Sequence, residues 1–506
     1  MLYTSRAWGQ WCAKIEEKDS PKTYDHLDRR SSFAERKEAI HAIVSDPKRM
    51  KEHAFLPLLK LIISTPRFRY VEKEGRKALE NKDRPISYAA HLDTYLYSFY
   101  SFTLGQYYEQ YIKTHGIDSC VLAYRSDLDG HCNVQFALEI FEHIQAKGPC
   151  IAIAMDIKGY FDNIDHQILK EKWKKVLGIS ELPPDQYKLY RSLTQYAYLK
   201  KNSFLRHFGI NLRKDPKKPS LLDYIEGDSF NAKFEKLRES KLIARHAKHE
   251  LLPDGRKRFF GIPQGLSISA LLSNIYLIDY DRRMQELAAK EGFMYRRYCD
   301  DILIVCDQKN YTQLEWLAKK EIAKHHLTMQ DKKMEIIEFR YNSKGRFRAF
   351  DRKKMRAEKL SAMPKHNEQL YYKPLQYLGF EFTGLDILIR SGSLSRFYRK
   401  MKARINKTVT MAYSKNARGT KIFRQQLLHR YTHLGKQNFY NYARRAAKDH
   451  YTNSIGIVKQ GMGSPAIRRQ LRGHFKILEH ILHNKNWLRA RHKINMGEAK
   501  KVKLIY

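Results

Sequence analysis

Tyr298-Cys299-Asp300-Asp301 is the stretch that decides the reading of this chain. Phe293-Met294-Tyr295 precedes it and Ile302-Leu303-Ile304-Val305-Cys306 follows it. Two β-prone runs flanking adjacent carboxylates predict a hairpin with an acidic turn. Alone the pair is weak evidence, because a solvated turn favours Asp for its local hydrogen bonds.

Upstream, Cys150-Ile151-Ala152-Ile153-Ala154-Met155-Asp156 is an apolar run ending in a carboxylate. Its length and continuity suit a buried strand. If that strand lies beside the hairpin, Asp156, Asp300 and Asp301 meet at one sheet edge. Three close carboxylates repel one another and need a counter-charge. Mg²⁺ supplies it, takes oxygen ligands and bridges to substrate phosphates. Two such ions roughly 3.5–4 Å apart clamp the attacking and leaving oxygens of an in-line phosphoryl transfer, which is polymerase chemistry.

These residues carry a family resemblance. Tyr298 to Asp301 resembles the catalytic YxDD box of reverse transcriptases. Asp156 to His166 resembles their first catalytic motif, in the form found in group II intron and other bacterial enzymes. Gly261-Ile262-Pro263-Gln264-Gly265-Leu266-Ser267-Ile268-Ser269 resembles the motif between the two, and the three stand in family order. The resemblance implies an α+β right-hand polymerase fold: fingers, a palm with an antiparallel sheet, then an all-helical basic domain. The implied boundaries are 1–150 for N-terminal helices and fingers, 151–390 for the palm, and 391–506 for a thumb-like RNA-binding domain. A charged, aromatic segment at about 200–258 departs from the group II pattern and reads as an insertion, with helix from Leu221 to Lys248. RNA binding, a second subunit and surface decoration are all open to it.

The resemblance also assigns roles. Asp156, Asp300 and Asp301 are the catalytic carboxylates, holding two Mg²⁺ ions, with Mn²⁺ the alternative and the Ile157 carbonyl a further ligand. Phe161 sits where the family's aromatic residue excludes a ribose 2′-hydroxyl, a built-in clash that selects deoxynucleotides. Gln264 orients nucleotide and template base. Arg84, in Lys82-Asp83-Arg84-Pro85-Ile86, matches the family's grip on the incoming triphosphate, a task suited to a guanidinium fork. Lys82 is the weaker candidate there. Lys333, preferred over adjacent Lys332, matches a palm lysine that stabilises or protonates departing pyrophosphate. Ala123-Tyr124-Arg125 resembles another fingers motif whose role stays open. Leu375 to Phe382 resembles the primer-grip hairpin.

With 506 residues, about three structural units are expected. The formal net charge of +41 points to a polyanionic partner. No apolar run approaches the ~18–20 residues of a spanning helix. Met1 to Cys12 lacks the features of a secretory signal. The six cysteines form no CxxC pair, which argues against a zinc knuckle and for a reducing, cytoplasmic setting.

Residues 1 to about 80 read as helical and polar, with a first apolar face at Phe55 to Ile63. The aromatic run from Tyr95 to Tyr111 reads as a core helix. Lys344, Arg346, Arg348, Arg352, Lys353, Lys354, Arg356 and Lys359 interleave with Phe347 and Phe350, a pattern suited to nucleic acid. From about 390 onward the chain reads as helix, with Ser464-Pro465 starting one. Ile467, Leu471, Phe475, Leu478 and Leu482 form an apolar stripe.

Arg84-Pro85-Ile86, His91, Ala123-Tyr124-Arg125 and the helical C-terminus resemble the defence-associated and abortive-infection reverse transcriptases of bacteria. That branch implies antiphage defence with a non-coding RNA, and for some members homo-oligomers and priming on a protein tyrosine. Among 33 tyrosines, Tyr506 included, the sequence names no priming residue. The expected partners are an RNA template or non-coding RNA, a DNA product and deoxynucleoside triphosphates, with no membrane. The alternative is a maturase-like RNA-binding protein of a mobile intron or retroelement whose polymerase core is structural.

Overall fold

The structure is a computed structural model, and it describes residues 2–17, 23–71, 76–128, 130–358, 367–414, 422–453 and 456–495. Lys359 and Tyr506 lie outside them. The chain divides into two compact units. The first comprises residues 1–127, 155–303 and 313–333; the second comprises 128–154, 304–312 and 334–506.

The apolar run forms strand Cys150–Asp156, buried along almost its whole length. It lies third in a five-stranded sheet ordered Phe347–Asp351, Glu335–Tyr341, Cys150–Asp156, Asp301–Cys306, Met294–Tyr298. The strand after the acidic turn is therefore its direct neighbour. Glu335–Tyr341 runs antiparallel to it, Ile336 opposite Ile153. The unit boundary falls inside Cys150–Asp156 and Asp301–Cys306, and their carboxylate-bearing ends belong to the first unit.

The first unit holds a second sheet, ordered Arg76–Tyr88, Leu58–Val71, Ala197–Lys200, Ile243–Arg245. Its first two strands pair antiparallel from Leu59–Tyr88 to Val71–Arg76. This corrects the expectation of helix up to residue 80. Ile62, Ile63, Thr65, Phe68, Tyr70 and Val71 are β-branched or aromatic, and such residues favour a pleated surface. Ile62 and Ile63 are exposed, so they never formed the helical face read into them.

The insertion also differs from expectation. Of the helix expected from Leu221 to Lys248, only Phe230–Glu239 is α-helix, started by Ser229, whose side chain accepts from the Ala232 N–H. Ile243–Arg245 joins the sheet instead. Leu221, Leu222, Ile225 and Leu237 pack with Leu59, Leu199 and Phe204 in one buried cluster. The segment is thus integral to the first unit rather than surface decoration. Helix His91–Thr114 buries Tyr95, Tyr97, Phe99, Tyr100 and Tyr108, as a core helix should.

In the second unit, Leu375–Tyr377, Phe380–Phe382 and Ile387–Ile389 form an antiparallel sheet. Helix Ser391–Ala412 presents Phe397, Met401, Ile405 and Val409 at four-residue spacing. They pack against Leu478 and Leu482 of helix His474–Asn495, a continuous apolar seam. Ser464 caps helix Pro465–Leu471 as expected. The stripe from Ile467 to Leu482 belongs to two helices, interrupted at Gly473, whose φ is 74°. Phe475 stands outside it, exposed. The region is not wholly helical, since His450–Thr452 and Val458–Gln460 form a hairpin. Among the described residues no helix is long and apolar enough to cross a membrane.

Candidate active site

Strands Met294–Tyr298 and Asp301–Cys306 are joined through Cys299, in the left-handed region at φ 58°, and Asp300. A non-glycine residue holds that conformation only where its surroundings impose it. Here Arg297 does so. Its Nη1 donates to the Cys299 carbonyl at 3.0 Å and to Asn274 Oδ1 at 3.2 Å. Its Nε and Nη2 donate to Asp281 Oδ1 and Oδ2 at 2.7 and 2.5 Å. Both side chains are 0% exposed, and the pairing is the two-pronged kind that fixes geometry as well as charge. The Tyr295 hydroxyl donates to the same carboxylate.

The segment left open by the sequence lies against this turn. The Arg297 N–H donates to the Cys120 carbonyl, and the Leu122 N–H to the Arg297 carbonyl. Tyr124, at φ 57°, is hydrogen-bonded to Cys299. Burial pushes the Cys299 thiol up to about 12, so it stays neutral. Arg125 is structural: it grips Glu109 at 2.8 Å and donates to the Val121 carbonyl.

The Ile157 N–H donates to the Asp300 carbonyl at 3.0 Å, tying the end of Cys150–Asp156 to the turn. On its other edge the Gln330 N–H donates to the Asp156 carbonyl and the Lys158 N–H to the Thr328 carbonyl. Ile157 therefore faces Met329 without bonding it, and its own carbonyl leaves on the edge toward the turn. Burial raises the Asp300 carboxyl pKa, and the Asp156 charge adds to the rise. Asp301 is exposed. Lys333 Nζ meets Asp156 Oδ1 at 2.5 Å, and Lys332 is exposed.

Among the described residues no three His, Cys, Asp or Glu side chains form a ready metal cage. The donors still fit a hard cation. Mg²⁺ is usually bound by one or two carboxylates, with waters and substrate phosphates completing its shell. Asp156, Asp300 and the Ile157 carbonyl are oxygen donors of that kind. The Lys333 ammonium marks where positive charge is accommodated.

Phe161 is half-buried in the short helix Tyr160–Asn163, just beyond Asp156. Its carbonyl accepts from the Ile262 N–H at 2.9 Å, joining the first motif to the second. Gln264 is exposed, and its carbonyl accepts from the Ser87 N–H at 2.8 Å. The adjacent Gly265 has φ 119°, and a Cβ there would lie 2.5 Å from the Ser87 carbonyl oxygen. This close approach ties the second motif to strand Arg76–Tyr88, which carries Arg84. Arg84 is exposed opposite Ile63 on that strand.

Lys333 thus meets Asp156, and Ile157, the next residue, meets Asp300, whereas Phe161 and Gln264 are joined to the neighbouring motifs through backbone bonds. Sequence reasoning missed Arg297 and Asp281, and left the role of Tyr124 open. Arg297 adjoins the acidic box, but nothing in its neighbourhood sets it apart among 95 lysines and arginines.

Residues 228–382 match the family model for reverse transcriptase (RNA-dependent DNA polymerase). The match spans under a third of the chain and includes Gln264, Asp300, Asp301 and Lys333. No curated protein matches the sequence. Among solved structures, telomerase from Candida albicans, in complex with a TWJ fragment of telomeric RNA, is similar at 13% identity and a TM-score of 0.33. That alignment covers 93% of this chain and 67% of the telomerase chain. Apo telomerase from Candida tropicalis gives 11% identity and 0.34, covering 94% and 66%. The BmCPV RNA-dependent RNA polymerase at its elongation state gives 10% and 0.36, covering 79% and 29%. The chain spans about three fifths to two thirds of the telomerase chains it matches. Residues 228–382 thus resemble a reverse-transcriptase (RNA-dependent DNA polymerase) domain, within a mixed α and β fold with antiparallel sheets and a largely helical C-terminal region.

Proposed function

We propose that this protein is a working reverse transcriptase, copying RNA into DNA by adding deoxynucleotides to a nucleic-acid 3′-hydroxyl or a protein hydroxyl. The observation that carries this is the bond from the Ile157 N–H to the Asp300 carbonyl, which holds two distant carboxylates at one strand end. Asp156 and Asp300, with Asp301, would hold two Mg²⁺ ions, Mn²⁺ being the alternative. Bound there, the ions supply charge neutralisation to the triphosphate and activate the attacking hydroxyl.

The chain's own residues supply the rest. Arg84 takes the triphosphate of the incoming nucleotide. Phe161 occupies the space a ribose 2′-hydroxyl would need. Gln264 orients the nucleotide against the template base. Lys333 turns from Asp156 toward the departing pyrophosphate, to which it offers an ammonium proton. Three hard oxygen donors and an adjacent ammonium support these assignments. The biological setting we propose is antiphage defence with a bound non-coding RNA. Its support is the motif resemblance around Arg84, His91 and Ala123-Tyr124-Arg125, together with the +41 charge.

Primer extension tests the enzyme reading. Wild type should extend an RNA-templated primer with deoxynucleotides and Mg²⁺, and the variant carrying Asp300→Asn with Asp301→Asn should lose at least a hundredfold in rate. Equal activity in the two would overturn it. Sequencing the nucleic acid that copurifies tests the bound RNA.

A further inference from the structure

A second cleft in the first unit, of about 960 Å³, lies apart from the catalytic carboxylates: neither Asp156, Asp300 nor Asp301 lines it. It opens between helix Pro184–Thr194, the chain leading into strand Leu58–Val71, and the inserted segment at Arg245–His246 and Arg256–Phe259. Ligand pockets are commonly about 300–1,000 Å³.

Its charge is one-sided. Lys188, Arg245 and Lys257 stand on the rim with no carboxylate partner among the described residues. Arg191 leans on Gln195, a neutral partner at 3.2 Å. One carboxylate, Asp165, lines the cleft, and it is already bonded to Arg258 at 2.9 Å. Cations left without carboxylates are cations left for a ligand.

Its aromatic content is the second, independent observation. Tyr196 stacks on His246 at 4.7 Å with their planes 8° apart, both lining the cleft. Phe259 stands on the rim, 46% exposed, in a short strand that holds it outward. Cations that track phosphates, beside rings on which bases stack, are the combination that binds single strands without regard to sequence. A duplex hides its base faces and has no use for the rings.

We propose that this cleft binds an unpaired nucleic-acid strand, outside the catalytic site, and that the inserted segment exists to complete it. The inserted segment supplies Arg245 and Lys257, the strand Lys257–Phe259 at its end supplies Phe259, and helix Pro184–Thr194 supplies Lys188. Strand binding at the cleft does not depend on catalysis.

The test uses the full chain and two probes of equal length, a twelve-nucleotide oligouridylate RNA and an oligothymidylate DNA. Fluorescence anisotropy is read across a salt series. Each phosphate contact to a single strand contributes about −0.7 to the slope of log affinity on log salt. Lys188→Gln, Arg245→Gln and Lys257→Gln combined should therefore make the slope shallower by about 2. Phe259→Ala should weaken binding about tenfold and leave the slope unchanged. A parallel loss for both probes assigns the contacts to phosphates and rings; a loss for RNA alone assigns them to the 2′-hydroxyl as well. If the triple variant melts early, each single variant should still lower the slope by about 0.7.

An unchanged slope and affinity in these variants would overturn the proposal. So would competition by polyglutamate as effective as RNA at equal charge, which would make the cleft a site for acidic protein. The primer-extension rate at saturating primer–template should be the same in wild type and the triple variant. Extension by wild type with normal binding by the variants sinks the cleft and leaves the polymerase standing. No extension by wild type, with binding lost in the variants, does the reverse.

Discussion

Replacing Arg297 by Met should unfold the acidic turn before it disturbs anything else. The Arg297 side chain makes four hydrogen bonds, two to Asp281, one to Asn274 and one to the Cys299 carbonyl. Its removal leaves the Asp281 carboxylate fully buried, with the Tyr295 hydroxyl still donating to it. Breaking a buried ion pair from one side costs about 3–5 kcal/mol, because an uncompensated charge stays behind. At about 1.4 kcal/mol per tenfold, that is two to three and a half powers of ten in the folding constant. Adding Asp281→Asn removes the stranded charge and keeps an acceptor for Tyr295. The residual loss should then be about 1–3 kcal/mol, for polar groups left without partners. Urea unfolding of the single and double variants reads the difference, a coupling of about 2 kcal/mol. Primer extension reads the function. It should stay depressed in both variants, since neither restores the donor to the Cys299 carbonyl. A single variant within about 1 kcal/mol of wild type would refute the reasoning. Recovery of extension in the double variant would show that the turn does not need that donor.

The raised pKa of Asp300 has a consequence for stability in metal-free buffer. The fold disfavours the ionised carboxyl, so the stability it contributes is complete below the ordinary carboxylate value and is lost as pH rises through the raised one. Asp300→Asn should therefore melt higher than wild type at pH 7 with a chelator present, and the gap should close toward pH 3.5. Phe161→Ala should raise ribonucleotide incorporation relative to deoxynucleotide at least tenfold, read as a ratio of kcat/KM values, with little change in melting. Gly265→Ala places a Cβ 2.5 Å from the Ser87 carbonyl oxygen at a φ of 119°. It should destabilise the chain by about 1–3 kcal/mol and raise the KM for nucleotide, both measurable on one preparation.

The central strand, the acidic turn and the helix cap were legible because each carries its signal locally. The apolar run of Cys150 to Asp156 is buried on both faces, and a continuous run shows this without reference to any partner. Tyr298 to Asp301 reads as a turn for the same reason, and Ser464-Pro465 reads as a helix start because capping is a matter of three or four residues. What failed locally was whatever depends on a distant segment. Leu58 to Val71 is a strand because Arg76–Tyr88 lies alongside it, and its exposed Ile62 and Ile63 imitate a helical face. Leu221 and Leu237 are core because Leu59 and Leu199 meet them.

The sequence alone therefore determined which carboxylates, which glycine-rich loop and which order of motifs this protein carries. The tertiary structure decided which arginine holds the turn and which lysine meets Asp156. It also decided which cations stand around a second cleft. A side chain's type fixes the charge it brings; only the packing of remote segments fixes whether that charge is spent on a carboxylate or left facing solvent.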